Sequence, residues 1–162
     1  MDLADLTAKA RVLKLEQFAA QYPGRFLVIS LTQPDRLIEY RTELVITRAN
    51  VPTTKAVVTD VLPLEKTDRN PYTSRILVGR SRNCDIILRA STVSKVHAHF
   101  ELLEDDKLEI VDLNSQNGVV VNGRRLERNA GKPITIDDVI VFGAVPTALM
   151  DGAGLYKLLK GS

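Results

Sequence analysis

Between Gly79 and Gly123 the chain bunches residue types suited to holding an anion: Arg80, Ser94, Lys95 and Asn117, among small and turn-forming neighbours. Arg80 brings a planar fork of donors that stays charged at any ordinary pH. Ser94 brings a rotatable hydroxyl and Lys95 a mobile ammonium, while Asn117 carries both a donor and an acceptor and can grip an extended backbone. From Arg75 to His97 there are five bases (Arg75, Arg80, Arg82, Arg89, Lys95) against one acid, Asp85. Such a set suits a doubly charged group with several acceptor oxygens, and a phosphate-binding recognition surface is the chemistry it points to.

Strands are needed to bring these residues to one rim. Phe100 to Leu103 and Leu108 to Val111 are short apolar runs, and His97–Leu103 is expected to pair with Leu108–Leu113 through Glu104-Asp105-Asp106-Lys107. Ser74–Val78, Ile86–Leu88, Ile134–Ile136 and Val139–Phe142 also read as strands. Asn117-Gly118 and Asn122-Gly123 bracket Val119–Val121, and both dipeptides favour the positive φ of tight hairpin turns. The earlier chain differs. Residues 2–21 read as one helix capped by Asp2 and stopped by Tyr22-Pro23-Gly24, followed by β-like runs at Phe26–Leu31, Leu37–Tyr40 and Leu44–Thr47. Val51-Pro52-Thr53-Thr54 looks like a junction, with Lys55–Leu64 the first strand beyond it. Asp151-Gly152-Ala153-Gly154 leads into a short amphipathic helix at Leu155–Leu159. The domain reading is therefore an N-terminal helix-plus-strand extension over residues 1–50 and a β-sandwich over residues 51–162.

Composition narrows the function classes. At 162 residues the chain can bury a core without covalent staples. A net charge of +2, from 22 bases and 20 acids, gives no general polyanion signal, so an anion site must be local. Aromatic residues make up 5% and Trp is absent, which leaves no stacking platform for single-stranded nucleic acid. The single cysteine, Cys84, forms no internal disulfide and reads as a packed residue of a reducing compartment. With acids near the start and no apolar run of membrane length, a cytoplasmic location is expected, with no membrane or nucleic-acid partner.

Four motifs in order carry a family resemblance: Gly79-Arg80, Ser94-Lys95-Val96-His97, Ser115-Gln116-Asn117-Gly118 and Asn122-Gly123. Together with Asp85-Ile86-Ile87-Leu88 and the closing run Asp138–Gly143, they resemble the forkhead-associated (FHA) domain across roughly Lys55 to Leu159, as in a small bacterial-type protein with an N-terminal extension. The resemblance implies a mainly β fold, an antiparallel FHA/SMAD-like β-sandwich, here with an N-terminal α/β extension and a short C-terminal helix. It also implies a non-enzymatic signalling or adaptor module that needs no cofactor and binds a phosphothreonine-containing partner, a Ser/Thr kinase or its substrate. By the same resemblance Arg80 and Ser94 contact the phosphate, Lys95 adjoins it, Gln116 occupies a variable contact position and Asn117 holds the peptide backbone. Gly79, His97 and Gly118 shape the site. Val119 departs from the Thr frequent in the family.

Other readings compete for the same residues. A phosphorylation-independent scaffold would keep the fold and dock partners through another surface. Ser94, His97 and Asp112 suggest a hydrolytic triad, yet no Gly-x-Ser-x-Gly elbow surrounds Ser94. His97 and His99 alternate as if on one face and can share a metal, though no Cys or third His accompanies them. Arg124, Arg125 and Arg128 suggest a nucleic-acid patch that Glu127, Asp137 and Asp138 dilute.

Overall fold

The structure is a computed structural model that describes residues 1–32 and 56–161. The expected junction at 51–54 and the β-like runs at 37–40 and 44–47 lie outside the described residues.

Eleven strands are described: β1 (Arg25–Thr32), β2 (Ala56–Pro63), β3 (Arg75–Gly79), β4 (Ile86–Ile87), β5 (Ala98–Leu102), β6 (Leu108–Asp112), β7 (Val119–Val121), β8 (Arg124–Arg125), β9 (Gly131–Ile134), β10 (Val139–Phe142) and β11 (Val145–Asp151). They form a six-stranded sheet in the order β2-β1-β11-β10-β7-β8 and a five-stranded sheet in the order β4-β3-β5-β6-β9. Every pairing is antiparallel except that of β3 with β4. The alternation expected of half-buried strands sends Ala98 and Phe100 of β5, Leu108 and Ile110 of β6, and Ile140 and Phe142 of β10 into one core between the sheets.

β1 is apolar on both faces because it is covered on both. Leu27 joins the core between the sheets, whereas Phe26 and Val28 meet a second core. Three helices supply that core: α1 (Leu3–Val12), α2 (Leu15–Gln21) and α3 (Gly152–Gly161). The helices contribute Leu6, Ala10, Phe18, Leu155 and Leu159 to it, all fully buried, as are Val28 and Val61 from the sheet. Burying these side chains favours the packed layer by about 25 cal/mol per Å² of apolar surface.

The expected single helix over residues 2–21 is divided. Asp2 caps α1 through the Ala4 N–H at 2.9 Å. At Leu13 and Lys14 the backbone turns extended, with ψ of 156° and 159°. Leu13 places its carbonyl where the Tyr156 hydroxyl donates to it at 3.1 Å. On either side of the break, Leu6 and Ala10 of α1 and Phe18 of α2 share one core with Leu155, Tyr156 and Leu159 of α3. β9 runs over Gly131–Ile134 rather than Ile134–Ile136. Asp138 accepts from the Thr135 N–H at 2.8 Å and so converts residues 135–138 into a turn.

Candidate functional site

The polar clusters meet at one end of the sandwich through backbone hydrogen bonds. The Arg80 N–H donates to the Ser94 carbonyl at 3.0 Å, and the Ser81 N–H donates to the Lys95 carbonyl at 3.0 Å. Two loops, one following β3 and one preceding β5, are thereby zipped together. This needs Gly79: a Cβ there would collide with the Lys95 carbonyl and press on the Cys84 Sγ. Cys84 is buried and donates to that same carbonyl at 3.3 Å. Burial pushes its thiol pKa up, so it is a packed and unreactive group.

A second set of bonds brings in the loop that precedes β7. The Gln116 N–H donates to the Ser94 Oγ at 3.1 Å, and the Asn117 Nδ2 donates to the Thr92 carbonyl at 2.8 Å. Thr92 Oγ1 in turn accepts from the Ala144 N–H at 3.0 Å, tying in the β10–β11 turn. Behind the loop, Asp112 accepts from the Ser115 N–H at 3.0 Å and Ser115 accepts from the Gly118 N–H at 2.9 Å. Gly118 has φ +81°, a conformation natural for glycine. Asn117-Gly118 is thus a crossover between the sheets, not a hairpin turn. Asn122-Gly123, with φ 49° and 82°, is the type I′-like hairpin joining β7 and β8.

His97 is fully buried and joins the pieces. Its Nδ1 accepts from the Ser94 N–H at 3.0 Å, which assigns the ring proton to Nε2, 2.8 Å from the Gly118 carbonyl. Both ring nitrogens are therefore spent on backbone, and neither is aimed as a base at the Ser94 hydroxyl. His97 and His99 also fail to share a face. The His97 ring packs edge-on to Phe142 at 6.0 Å, in the core. His99 lies on the opposite side of β5 from Ala98 and Phe100, 3.8 Å from Glu101. Among the described residues no cluster of His, Cys, Asp and Glu is arranged to hold a metal.

At the surface of this assembly stand Arg80, Lys95, Gln116 and Asn117, all exposed, with Ser94 half-buried between them. Arg80 spends only Nε, on the Val93 carbonyl at 3.1 Å. Its two terminal NH₂ groups and the Lys95 ammonium have no partner among the described residues. Ser94 Oγ accepts one bond and keeps its hydrogen to donate, and Asn117 keeps its carbonyl oxygen and one amide hydrogen. The unspent groups are mainly donors, and two of the side chains carry positive charge. Asp112 sits at 0% exposure beneath the loop, so it does not reach this surface.

Two residues that the sequence named in other connections also support this site. Arg125 lays its guanidinium against Gly118, within 2.8 Å of where a Cβ would stand. The signal was available: a two-residue turn at Asn122-Gly123 fixes the register Val121↔Arg124 and Val120↔Arg125. Asp85 is the other. Its Oδ1 accepts from the Thr67 N–H at 2.8 Å and the Thr67 hydroxyl at 2.6 Å. Its Oδ2 accepts from Asn70 Nδ2 at 2.7 Å and the Leu77 N–H at 2.8 Å. Burial alone would raise the Asp85 pKa, but these bonds outweigh it and hold the carboxyl below its usual range. Arg69 adds bonds to the carbonyls of Cys84 (3.1 Å) and Asp85 (2.7 Å). The 66–70 loop is thereby fastened to β3, which ends at Gly79 just before Arg80, and to the residues that lead into β4.

Comparison with known proteins agrees with this architecture. The family model of the FHA domain matches residues 76–143. Over 87 residues, 49% of this chain, the sequence is 38% identical to the DNA damage response protein kinase DUN1 of Saccharomyces cerevisiae, of which the match spans only 16%. Among solved structures, the FHA domain of the CT664 protein from Chlamydia trachomatis superposes with a TM-score of 0.51 at 23% identity, covering 78% of this chain and 97% of that one. The N-terminal FHA domain of Rad53p from S. cerevisiae, solved in complex with a phosphothreonine peptide, gives 0.50 at 19% identity, covering 82% and 97%. Residues 76–143 match the FHA family model, and the two-sheet fold around them is similar to that of these solved FHA domains.

Proposed function

We propose that this chain is a non-catalytic reader of phosphothreonine on a partner protein, an adaptor in Ser/Thr-kinase signalling. FHA domains bind phosphothreonine peptides, and the family match supplies that expectation. The observation that supports it most is local. Backbone bonds from the Arg80, Ser94 and Asn117 loops converge, and they leave the donors at their common rim unspent. In this reading the phosphate takes the Arg80 fork, the Ser94 hydroxyl and the Lys95 ammonium. Gln116 presents a side chain at the same edge, and Asn117 holds the peptide backbone. Gly79, His97 and Gly118 fix the three loops and touch no ligand. Because Arg80, Ser94 and Asn117 are each held by a hydrogen bond before binding, little ordering of these three side chains opposes it. The location we assign is cytoplasmic; among the described residues no helix is long and apolar enough to cross a membrane.

The test is a phosphothreonine-peptide library screen, followed by titration of a selected peptide against Arg80→Ala and Asn117→Ala. A charge-assisted hydrogen bond contributes about 1.5–3 kcal/mol, so Arg80→Ala is expected to weaken binding about ten- to a hundredfold. Unchanged affinity in Arg80→Ala would remove Arg80 from this role. A scaffold that docks through another surface would show no selection for phosphothreonine in the screen.

A further inference from the structure

A groove of about 570 Å³ opens between the β7–β8 hairpin and β9, with Arg124, Arg125 and Lys132 among its lining residues. Its two lining carboxylates are unequal. Asp138 is committed, with Oδ1 accepting from Asn122 Nδ2 at 2.9 Å and Oδ2 from the Thr135 N–H at 2.8 Å. Glu127 is the remaining acid. None of the three cations has an ion-pair or hydrogen-bond partner among the described residues, and all three are exposed. Arg125 belongs to two places at once: it lines this groove, and its guanidinium lies against Gly118, the residue next to Asn117. The groove therefore begins where the proposed peptide site ends.

We propose that this groove is a second anion subsite, which takes an acidic or phosphorylated flank of the same peptide whose phosphothreonine occupies the rim. The inference rests on the proposed phosphothreonine reading and names the ligand class further. The geometry gives Arg125 the joining position and Arg124 and Lys132 the far end. The polarity of the peptide is open to either direction, so acidic residues on only one flank are expected to matter. Exposed ion pairs are individually weak, and two or three together give a gain of about three- to tenfold that shrinks as salt rises.

The experiment uses the full chain and three phosphothreonine peptides, with neutral flanks, with three Asp residues before the phosphothreonine, and with three Asp residues after it. The quantity read is the ratio of each acidic peptide's affinity to that of the neutral one. One acidic flank is expected to raise the ratio about three- to tenfold at low salt, and Arg125→Gln is expected to return it toward one. Arg125 also packs on Gly118, so Arg124→Gln/Lys132→Gln serves as a second variant that leaves that contact in place; it too should lower the ratio. Ratios near one for both flanks in the wild type, or a raised ratio that persists in both variants, would overturn the subsite while leaving the phosphothreonine reading intact. Failure of every phosphopeptide to bind would remove both. Loss of duplex-DNA binding in the same variants, without any flank effect, would assign the groove to nucleic acid instead.

Discussion

Replacing Asp85 with Asn keeps the size of the side chain and changes one oxygen into a donor. In the native structure both oxygens face donors: the Thr67 N–H and hydroxyl on one side, Asn70 Nδ2 and the Leu77 N–H on the other. An amide NH₂ would face one of these pairs, so two bonds are lost and buried donors are left unsatisfied, at about 1–3 kcal/mol each. The Lys66 ammonium, 3.6 Å away, also loses its counter-charge, although its exposure makes that a minor contribution. Asp85→Asn should therefore destabilise the fold by about 3 kcal/mol, a large part of the roughly 5–15 kcal/mol typical of a domain. In urea, with a slope of about 2 kcal/mol per M, the unfolding midpoint should fall by about 1.5 M with the slope unchanged. The pH dependence supplies an independent arm. The folded Asp85 carboxyl is held below its ordinary value, so its contribution is fully present above about pH 4. It is lost as pH falls through the lowered folded value, and Asp85→Asn should flatten that acid limb. A midpoint shift under about 0.3 M, or an unaltered acid limb, would refute the anchoring role.

Three further outcomes follow from single side chains. His99 is buried with neither ring nitrogen hydrogen-bonded; burial, then Arg75, lowers its pKa. Glu101 and Glu109, which also face it, pull the other way without prevailing. The protein should thus lose stability as pH falls from about 6.5 toward the lowered folded value, and thermal melts of His99→Phe should lack that slope. Gly79→Ala should lower the melting temperature and weaken phosphopeptide binding together, because the new methyl meets the Lys95 carbonyl that zips the two loops. A Gly79→Ala protein with wild-type melting would show that the loops can part at no cost. Ser115→Ala removes the acceptor of the Gly118 N–H and should cost about 1–3 kcal/mol by chemical denaturation.

The site's polar residues were legible because turn chemistry is local. Gly79-Arg80, Ser94, Asn117-Gly118 and Asn122-Gly123 announce themselves by type and spacing, and the β5–β6 pairing follows from alternation across a short loop. What escaped was tertiary. β11 carries Pro146 near its start, and a Pro argues against a strand from sequence alone, yet the residue pairs with Val141 in the sheet. No Gly or Pro marks the break at Leu13-Lys14; its partner is distant in the chain, the Tyr156 hydroxyl of α3 bonding the Leu13 carbonyl there. The pattern that made β1 a compact apolar run has the same origin, since only the helical layer explains why both of its faces are apolar. Asp85 was visible as part of a motif, but its role depends on Thr67 and Asn70 of the 66–70 loop and Leu77 of β3 arriving around it. His97 and His99 misled for the opposite reason: period-two spacing suggested one face, but β5 begins at Ala98, and His97 before it packs on Phe142 in the core.

The most direct test of the central claim is calorimetric titration of one sequence in three forms, carrying phosphothreonine, phosphoserine and plain threonine. Phosphothreonine should bind at least tenfold more tightly than plain threonine, with phosphoserine weaker than phosphothreonine by about the 0.8 kcal/mol of one buried methyl. Equal affinity for the phosphorylated and plain forms would contradict the phosphothreonine reading.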